Sequence, residues 1–169
     1  MSSNTLHYSI ATETLNGTIG TATFLVRAWS GGRRGATRPG AQSTFASYDV
    51  FRKEDHGKGI HGGPIPPGIY LCRYVANHAK FHECIFLEQT LTSLLRVDAN
   101  ATIRLYGRDA FYIHARGPHG SDGCIVPENE AVRLQLNKSV KNAQGTVMLQ
   151  VVDPGFPLPA GGLQRRAVA

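Results

Sequence analysis

The chain has 169 residues, 41% of them hydrophobic and 18% charged, which suits one domain with a core of its own. Its 19 glycines and 9 prolines indicate many turns and favour a β-rich protein over a helical bundle. The net charge of +6 favours acidic partners. The basic residues are scattered and do not alternate with aromatic ones, which argues against a nucleic-acid interface.

The first residues, MSSNTLHYSIATETLNG, contain neither the basic nor the apolar segment of a signal peptide. No apolar run approaches the length of a membrane span. We therefore expect a protein that is made in the cytoplasm without a cleaved leader and has no membrane span.

Alternating apolar residues predict a series of short strands. The predicted strands cover residues 6–10, 22–29, 69–76, 84–89, 94–97, 102–107, 110–114 and 146–152. The step Leu15-Asn16-Gly17 is typical of a hairpin turn between the first two strands. Glycine, arginine and proline predict loops over 30–45 and 59–68.

One helix is predicted over about 127–141. Pro127 suits the first turn of a helix, and Val132, Leu136 and Val140 recur every four residues as one apolar stripe. The predicted fold is mainly β, a sandwich or barrel of mostly antiparallel strands with one helix after Cys124. Residues 1–152 form a single predicted domain, and residues 153–169 form an irregular C-terminal tail.

The three cysteines allow two arrangements. Cys72 and Cys84 form a disulfide and leave Cys124 as a reactive thiol, or all three are reduced. Of the two, the sequence favours three reduced cysteines, two of them simply buried.

The stretch FYIHARGPHGSDGCIVP, residues 111–127, carries the candidate chemistry. His114 ends an alternating strand, so its ring is expected at the edge of the sheet, and Cys124 follows ten residues later in a tight glycine turn. A cysteine nucleophile needs a base and oxyanion donors, which His114 and the amides of Gly123 and Cys124 would supply. The alternative is a buried thiol in an ordinary turn.

His119 is a second candidate base, and Asp122 is a candidate to orient a histidine, although Asp-Gly is also common turn chemistry. The spacing of His114, His119 and Cys124 matches no common zinc pattern, so no metal is predicted. No cofactor is predicted either, since Walker A and GxGxxG motifs are absent.

FYIH followed by SDGCI resembles the signature of the L,D-transpeptidase (YkuD-like) catalytic domain. GGPIPPGIY, residues 62–70, and QGTVMLQVV, residues 144–152, resemble two further segments of that family in the same order. The resemblance covers roughly residues 60–152. Aspartate occupies position 122, where most members have histidine, which leaves His114 as the base. The compact form is similar to a short branch that includes type VI secretion effectors.

The resemblance implies L,D-carboxypeptidase and L,D-transpeptidase activity on peptidoglycan stem peptides, at the bond between diaminopimelate and D-Ala. It implies Cys124 as nucleophile, His114 as base and the Ala115 carbonyl as the group that orients His114. Substrate carboxylates make basic residues near the cleft candidates for binding. The predicted substrate-binding residues are Arg104, Arg108, Arg116, His119 and Ser121.

The resemblance also implies a place of action. An antibacterial effector of this branch would act in the periplasm of a target bacterium, and a secretion-machine component and an immunity protein would be its partners. Two other hypotheses remain: a non-catalytic cell-wall-binding module of a phage or secretion apparatus, and a basic protein that binds nucleic acid with steep salt dependence.

Overall fold

The structure of the protein is a computed structural model that describes residues 4–31, 64–90, 110–116, 121 and 123–152. Within these residues it has eight strands and one helix. The strands are β1 (Thr5–Ser9), β2 (Thr14–Ile19), β3 (Ala22–Ser30), β4 (Gly68–His78), β5 (His82–Gln89), β6 (Phe111–Ile113), β7 (Ile125–Pro127) and β8 (Val147–Val152). The helix is α1 (Glu130–Asn142), between β7 and β8 in the chain.

The eight strands form one closed barrel in the order β1-β2-β3-β7-β6-β5-β4-β8. The pairs β1–β8 and β6–β7 are parallel, and the other pairs are antiparallel. The prediction of a mainly β fold, mostly antiparallel with one helix after Cys124, is therefore confirmed. Of the two predicted architectures, the structure has the barrel.

The inward-facing side chains of the strands fill the barrel. Alternation along each strand sends every second residue to this core. Its members include Leu6, Tyr8, Leu15, Phe24, Val26, Tyr70, Ile85, Leu87, Phe111, Ile113, Ile125, Leu149 and Val151. Leu136 and Val140 of α1 belong to the same cluster, so the predicted apolar stripe packs the helix against the barrel core.

The predicted turn at Leu15-Asn16-Gly17 is wrong, because these residues lie inside β2. Gly17 has φ +141°, and a Cβ there would lie 2.2 Å from Thr5 O of the neighbouring strand. The glycine therefore serves a close approach of two backbones rather than a turn. The hairpin loop is the pair Gly20 and Thr21, where φ is positive at Gly20.

Pro127 was predicted in the first turn of the helix, but it is the last residue of β7, opposite Ala28. The helix begins at Glu130, because the Asn129 side chain accepts a hydrogen bond from Val132 N and caps the first turn. An asparagine cap satisfies one of the unpaired amides at a helix start, which outweighs the preference of proline for that position.

The other predicted strands within the described residues agree with the structure to within one or two residues. The predicted strands 94–97 and 102–107, nearly all of the loop 30–45, the first part of the loop 59–68 and the tail 153–169 lie outside the described residues. No helix among the described residues is long and apolar enough to cross a membrane.

Cys72 and Cys84 are separate thiols rather than a disulfide. Cys72 belongs to the barrel core, whereas Cys84 lies one position from the inward-facing Ile85 and therefore faces outward. Burial raises the pKa of Cys72 to about 12, so this thiol stays protonated at neutral pH.

Candidate active site

His114 and Cys124 lie on the same side of two neighbouring strands. Ile113 of β6 pairs with Ile125 of β7, and both isoleucines face the barrel core. His114 follows Ile113 and Cys124 precedes Ile125, so the alternation of side chains directs both outward. The His114 amide donates to Ile125 O at 3.2 Å, which continues the pairing past the end of β6.

The His114 ring is held at one nitrogen by the backbone. Its Nδ1 lies 2.7 Å from Ala115 O. Because a carbonyl oxygen only accepts, Nδ1 must carry the proton in this contact, and Nε2 is then the nitrogen with the lone pair. This tautomer is the one that a general base needs at Nε2.

The tip of the β4–β5 hairpin, residues 78–82, covers the other side of His114. The Phe81 ring stacks on the His114 ring with centroids 4.1 Å apart and an angle of 4° between the planes. His78 also stacks on Phe81, at 4.8 Å, and its Nδ1 accepts hydrogen bonds from Lys80 N and Phe81 N. The imidazole of His114 is therefore fixed by a hydrogen bond at its edge and a ring on its face.

Burial lowers the pKa of His114 to about 4. The largest cause is desolvation of the imidazolium, and the positive charges of Lys80 and Arg133 act in the same direction. The hydrogen bond to Ala115 O favours the charged form and opposes part of the shift. His114 is therefore a neutral imidazole at neutral pH.

Cys124 is buried, with 7% of its surface exposed, at the entrance to β7. Its Sγ contacts Ala110 O at 3.9 Å, a length that suits a weak thiol hydrogen bond. The preceding residue, Gly123, has φ +106°, a conformation that side chains rarely adopt. The chain thus bends at Gly123, directly before the cysteine, while Asp122 of the predicted turn lies outside the described residues.

Two buried serines contact the backbone of this turn. Ser30 Oγ, at the end of β3, donates to Gly123 O at 2.7 Å. Ser121 Oγ donates to Cys124 O at 2.5 Å. The carbonyls on both sides of the Cys124 Cα are therefore each held by a serine hydroxyl.

The structure describes some of the predicted site residues and not others. His114 and Ala115 directly follow β6, and Gly123 and Cys124 directly precede β7, the strand that pairs with β6. Arg116 follows Ala115 with its side chain exposed. The Ser121 hydroxyl contacts the protein backbone, so its role in substrate binding stays a prediction. Four predicted residues lie outside the described residues: Arg104, Arg108, His119 and Asp122.

Several residues around the site were not predicted from the sequence. Phe81 and Lys80 come from the hairpin tip, Ser30 from β3 and Arg133 from α1. Arg133 is buried, pairs with Glu130 through Nε and NH2, and donates from NH1 to Glu83 O at 3.3 Å. The sequence offered one signal, the break of alternation at HAKFH that marks a hairpin tip next to a candidate histidine.

Among the described residues, no group of three or more His, Cys, Asp or Glu side chains has the arrangement of a metal site. A scan against protein families finds no match, and a search of curated proteins finds no relative. Among solved structures, the chain is similar to the L,D-transpeptidase (residues 123–326) from Xylanimonas cellulosilytica DSM 15894, at 9% identity and a TM-score of 0.38. The match covers 88% of this chain and 59% of that one.

Proposed function

We propose that the protein is a cysteine-dependent acyl-transfer enzyme that acts on peptidoglycan stem peptides as an L,D-carboxypeptidase and L,D-transpeptidase. The observation that carries the proposal is the neutral His114, held at Nδ1 by Ala115 O, on the same face of neighbouring strands as Cys124. The substrate is proposed from the resemblance of the motif residues, since the geometry alone supports acyl transfer by a thiol.

In the first half-reaction Cys124 attacks the carbonyl carbon that joins diaminopimelate to the terminal D-Ala. The thiol proton passes to Nε2 of His114 as the sulfur–carbon bond forms. The amides of Gly123 and Cys124 are the proposed donors to the oxyanion. The imidazolium then protonates the leaving amine, D-Ala departs, and an acyl-enzyme remains.

In the second half-reaction an acceptor attacks the thioester, and His114 takes the acceptor's proton. Water as acceptor gives a tripeptide and carboxypeptidase activity. A D-amino acid gives exchange, and the amine of a second stem gives a cross-link. In each case the sulfur leaves as a thiol with the proton returned by His114.

The low pKa of His114 supports a neutral resting pair rather than a preformed thiolate–imidazolium pair. A desolvated imidazole accepts the thiol proton only as negative charge develops next to it during the attack, and it gives the proton up again as the amine leaves. Proton transfer is then coupled to bond formation at sulfur. The base remains available over most of the pH range in which the protein would act.

Two exposed cations are proposed to bind the carboxylates of the stem peptide. Arg116 follows the orienting Ala115, and Lys80 lies with Nζ 5.3 Å from the centroid of the Phe81 ring that covers His114. A carboxylate bound at Lys80 would neutralise a charge that disfavours the His114 imidazolium.

The biological role of the enzyme and its place of action are proposed from the motif resemblance. We place the enzyme among antibacterial effectors that reach the periplasm of a target cell by a secretion machine. The producing cell would then need an immunity protein that binds the effector. Co-purification with a neighbouring gene product that inhibits the enzyme would support this setting.

The test is incubation of the purified protein with tetrapeptide muropeptides, with and without excess D-methionine, and analysis of the products by mass spectrometry. We expect loss of D-Ala, or its replacement by D-methionine. Cys124→Ala should abolish both reactions, because no acyl-enzyme can form.

The matched control is Cys72→Ala, which removes a buried thiol from the barrel core rather than from the site. This variant should keep the activity of the wild type for as long as it is folded. An intact substrate with both wild type and Cys124→Ala would contradict the proposal, and binding of the wild type to insoluble cell wall would then favour the non-catalytic module.

A further inference from the structure

The Ser30 hydroxyl is fully buried and bridges three segments of the chain. Its oxygen accepts the amide of Ile65 at 2.8 Å, and its proton goes to Gly123 O at 2.7 Å. A peptide N–H can only donate, so the Ser30 oxygen is the acceptor in its contact with Ile65. The hydroxyl proton of Ser30 is then available to the carbonyl of Gly123. The direction of the bond to Gly123 is therefore determined by the backbone of Ile65.

The Ser121 hydroxyl is bonded in the same way. Its oxygen accepts the amide of Gly31 at 3.1 Å and its proton goes to Cys124 O at 2.5 Å. Gly31 directly follows Ser30, so the end of β3 contributes to both contacts. The turn before β7 is thus held by hydroxyls whose own positions are set by neighbouring backbone amides.

The hydrogen bond from Ser30 to Gly123 O also constrains the peptide group between Gly123 and Cys124. In a planar trans peptide the C=O of one residue and the N–H of the next point in opposite directions. A hydrogen bond that fixes Gly123 O therefore also fixes the direction of the Cys124 N–H, on the side away from Ser30. Gly123, with φ +106°, lies just before β7, where the Ser30 bond contributes to setting this plane.

We propose that Ser30 is a positioning residue that orients the Cys124 amide as an oxyanion donor. The inference rests on the proposed acyl-transfer function and adds to it a residue from β3, far from the motif in sequence. Ser30 is buried, donates to the Gly123 carbonyl and would act through the Gly123–Cys124 peptide. Oxyanion donors must be held in place before the reaction, since reorienting a dipole during the reaction costs free energy.

The experiment compares two reactions of the same thiol. With p-nitrophenyl acetate, a bond forms between Sγ and the acetyl carbon, the thiol proton passes to His114, and p-nitrophenolate leaves with the electron pair of the broken ester bond. This reaction passes through an oxyanion. With iodoacetamide, a carbon–sulfur bond forms as the carbon–iodine bond breaks, iodide leaves, the thiol proton passes to His114, and no oxyanion develops. Peptide mass mapping reads the extent of both reactions at Cys124 alone.

For Ser30→Ala we expect acetylation of Cys124 to slow by roughly tenfold or more, while alkylation keeps the wild-type rate. The matched control is Ser9→Ala, whose hydroxyl accepts the amide of Thr12 in the loop between β1 and β2. This variant should leave the ratio of the two rates unchanged. Equal slowing of both reactions in Ser30→Ala, or no change in the ratio, would overturn the inference.

Two further outcomes separate the inference from the proposed function. A wild-type thiol that is alkylated but never acetylated would overturn the proposed function and the inference with it. If Ser30→Ala does not fold, Ser30→Thr decides, because it keeps the hydroxyl. A wild-type ratio in folded Ser30→Thr supports the inference, and selective loss of acetylation contradicts it.

Discussion

The inner face of β5, β6 and β7 is buried, the outer face is buried only in part, and the two faces differ in chemistry. Three isoleucines form one row across these strands on the inner face, because Ile85 pairs with Ile113 and Ile113 with Ile125. The residue next to each isoleucine faces outward. The pairs are Ile85 with Cys84, Ile113 with His114, and Ile125 with Cys124. One register of the strands thus sets both a core and a candidate reaction centre.

Burial has opposite consequences on the two faces. On the inner face it removes apolar surface from water and stabilises the barrel. On the outer face it desolvates groups that prefer water: it lowers the pKa of His114 and raises that of Cys84. Within the described part of the chain, Trp29 Nε1 on β3 and Asn137 Oδ1 on α1 are also buried without hydrogen-bond partners. Burial of polar groups on the outer face therefore costs folding free energy, and it holds groups such as His114 in fixed positions.

The largest expected effect is the loss of activity when His114 on the outer face is replaced. His114→Gln should lower kcat/KM by roughly 10²–10⁴ through loss of the base. The matched control is His7→Gln on β1, whose neighbours are β2 and β8, and it should keep full activity. Wild-type activity in His114→Gln would assign the base to another group.

The same variant should change how stability depends on pH. Between pH 6.5 and about 4 the unfolded His114 binds a proton that the folded one does not. The free energy of unfolding of the wild type should therefore fall in this window as the pH falls, by about 3 kcal/mol for this group. His114→Gln should lack that part of the loss in urea titrations. Identical pH dependence of the two proteins would contradict the buried, neutral histidine.

On the inner face the expected effect is on stability. Leu87→Ala should lower the free energy of unfolding by about 2–5 kcal/mol, because Leu87 is 1% exposed and its removal leaves a cavity. Activity per folded molecule should not change. Leu25→Ala is the control, since Leu25 is 74% exposed on β3 and should cost little. A large loss of activity in folded Leu87→Ala would show that the two faces are not separable.

The smallest expected effect is a shift of pH dependence at the hairpin tip. Phe81→Ala opens one face of His114 to water, so the pKa of His114 should rise from about 4 toward 6.5. The acid limb of kcat/KM, below which the base is protonated, should move up by the same amount. Phe86→Ala, which removes a ring that contacts Tyr112, is the control. An unmoved acid limb would show that other groups desolvate His114.

The sequence predicted the features that depend on residues close to one another along the chain. Alternation located most described strands, and the order strand, histidine, glycine turn, cysteine located the candidate site. It misplaced β2 and the start of α1, because Asn16-Gly17 and Pro127 have strong local preferences that a close backbone approach and a better cap override. Ser30 was not found, because its contacts with Ile65 and Gly123 exist only once β3, β4 and β7 are assembled.

The parallel pairing of β1 with β8 has a consequence for synthesis of the chain. Thr5 pairs with Met148, so the first described strand must wait for the last one to leave the ribosome before the barrel can close. Contacts so distant in sequence make folding slow and leave the edges of β1 and β4 open in a nascent chain. The ring of strands that carries His114 and Cys124 is therefore completed only after translation has passed residue 152.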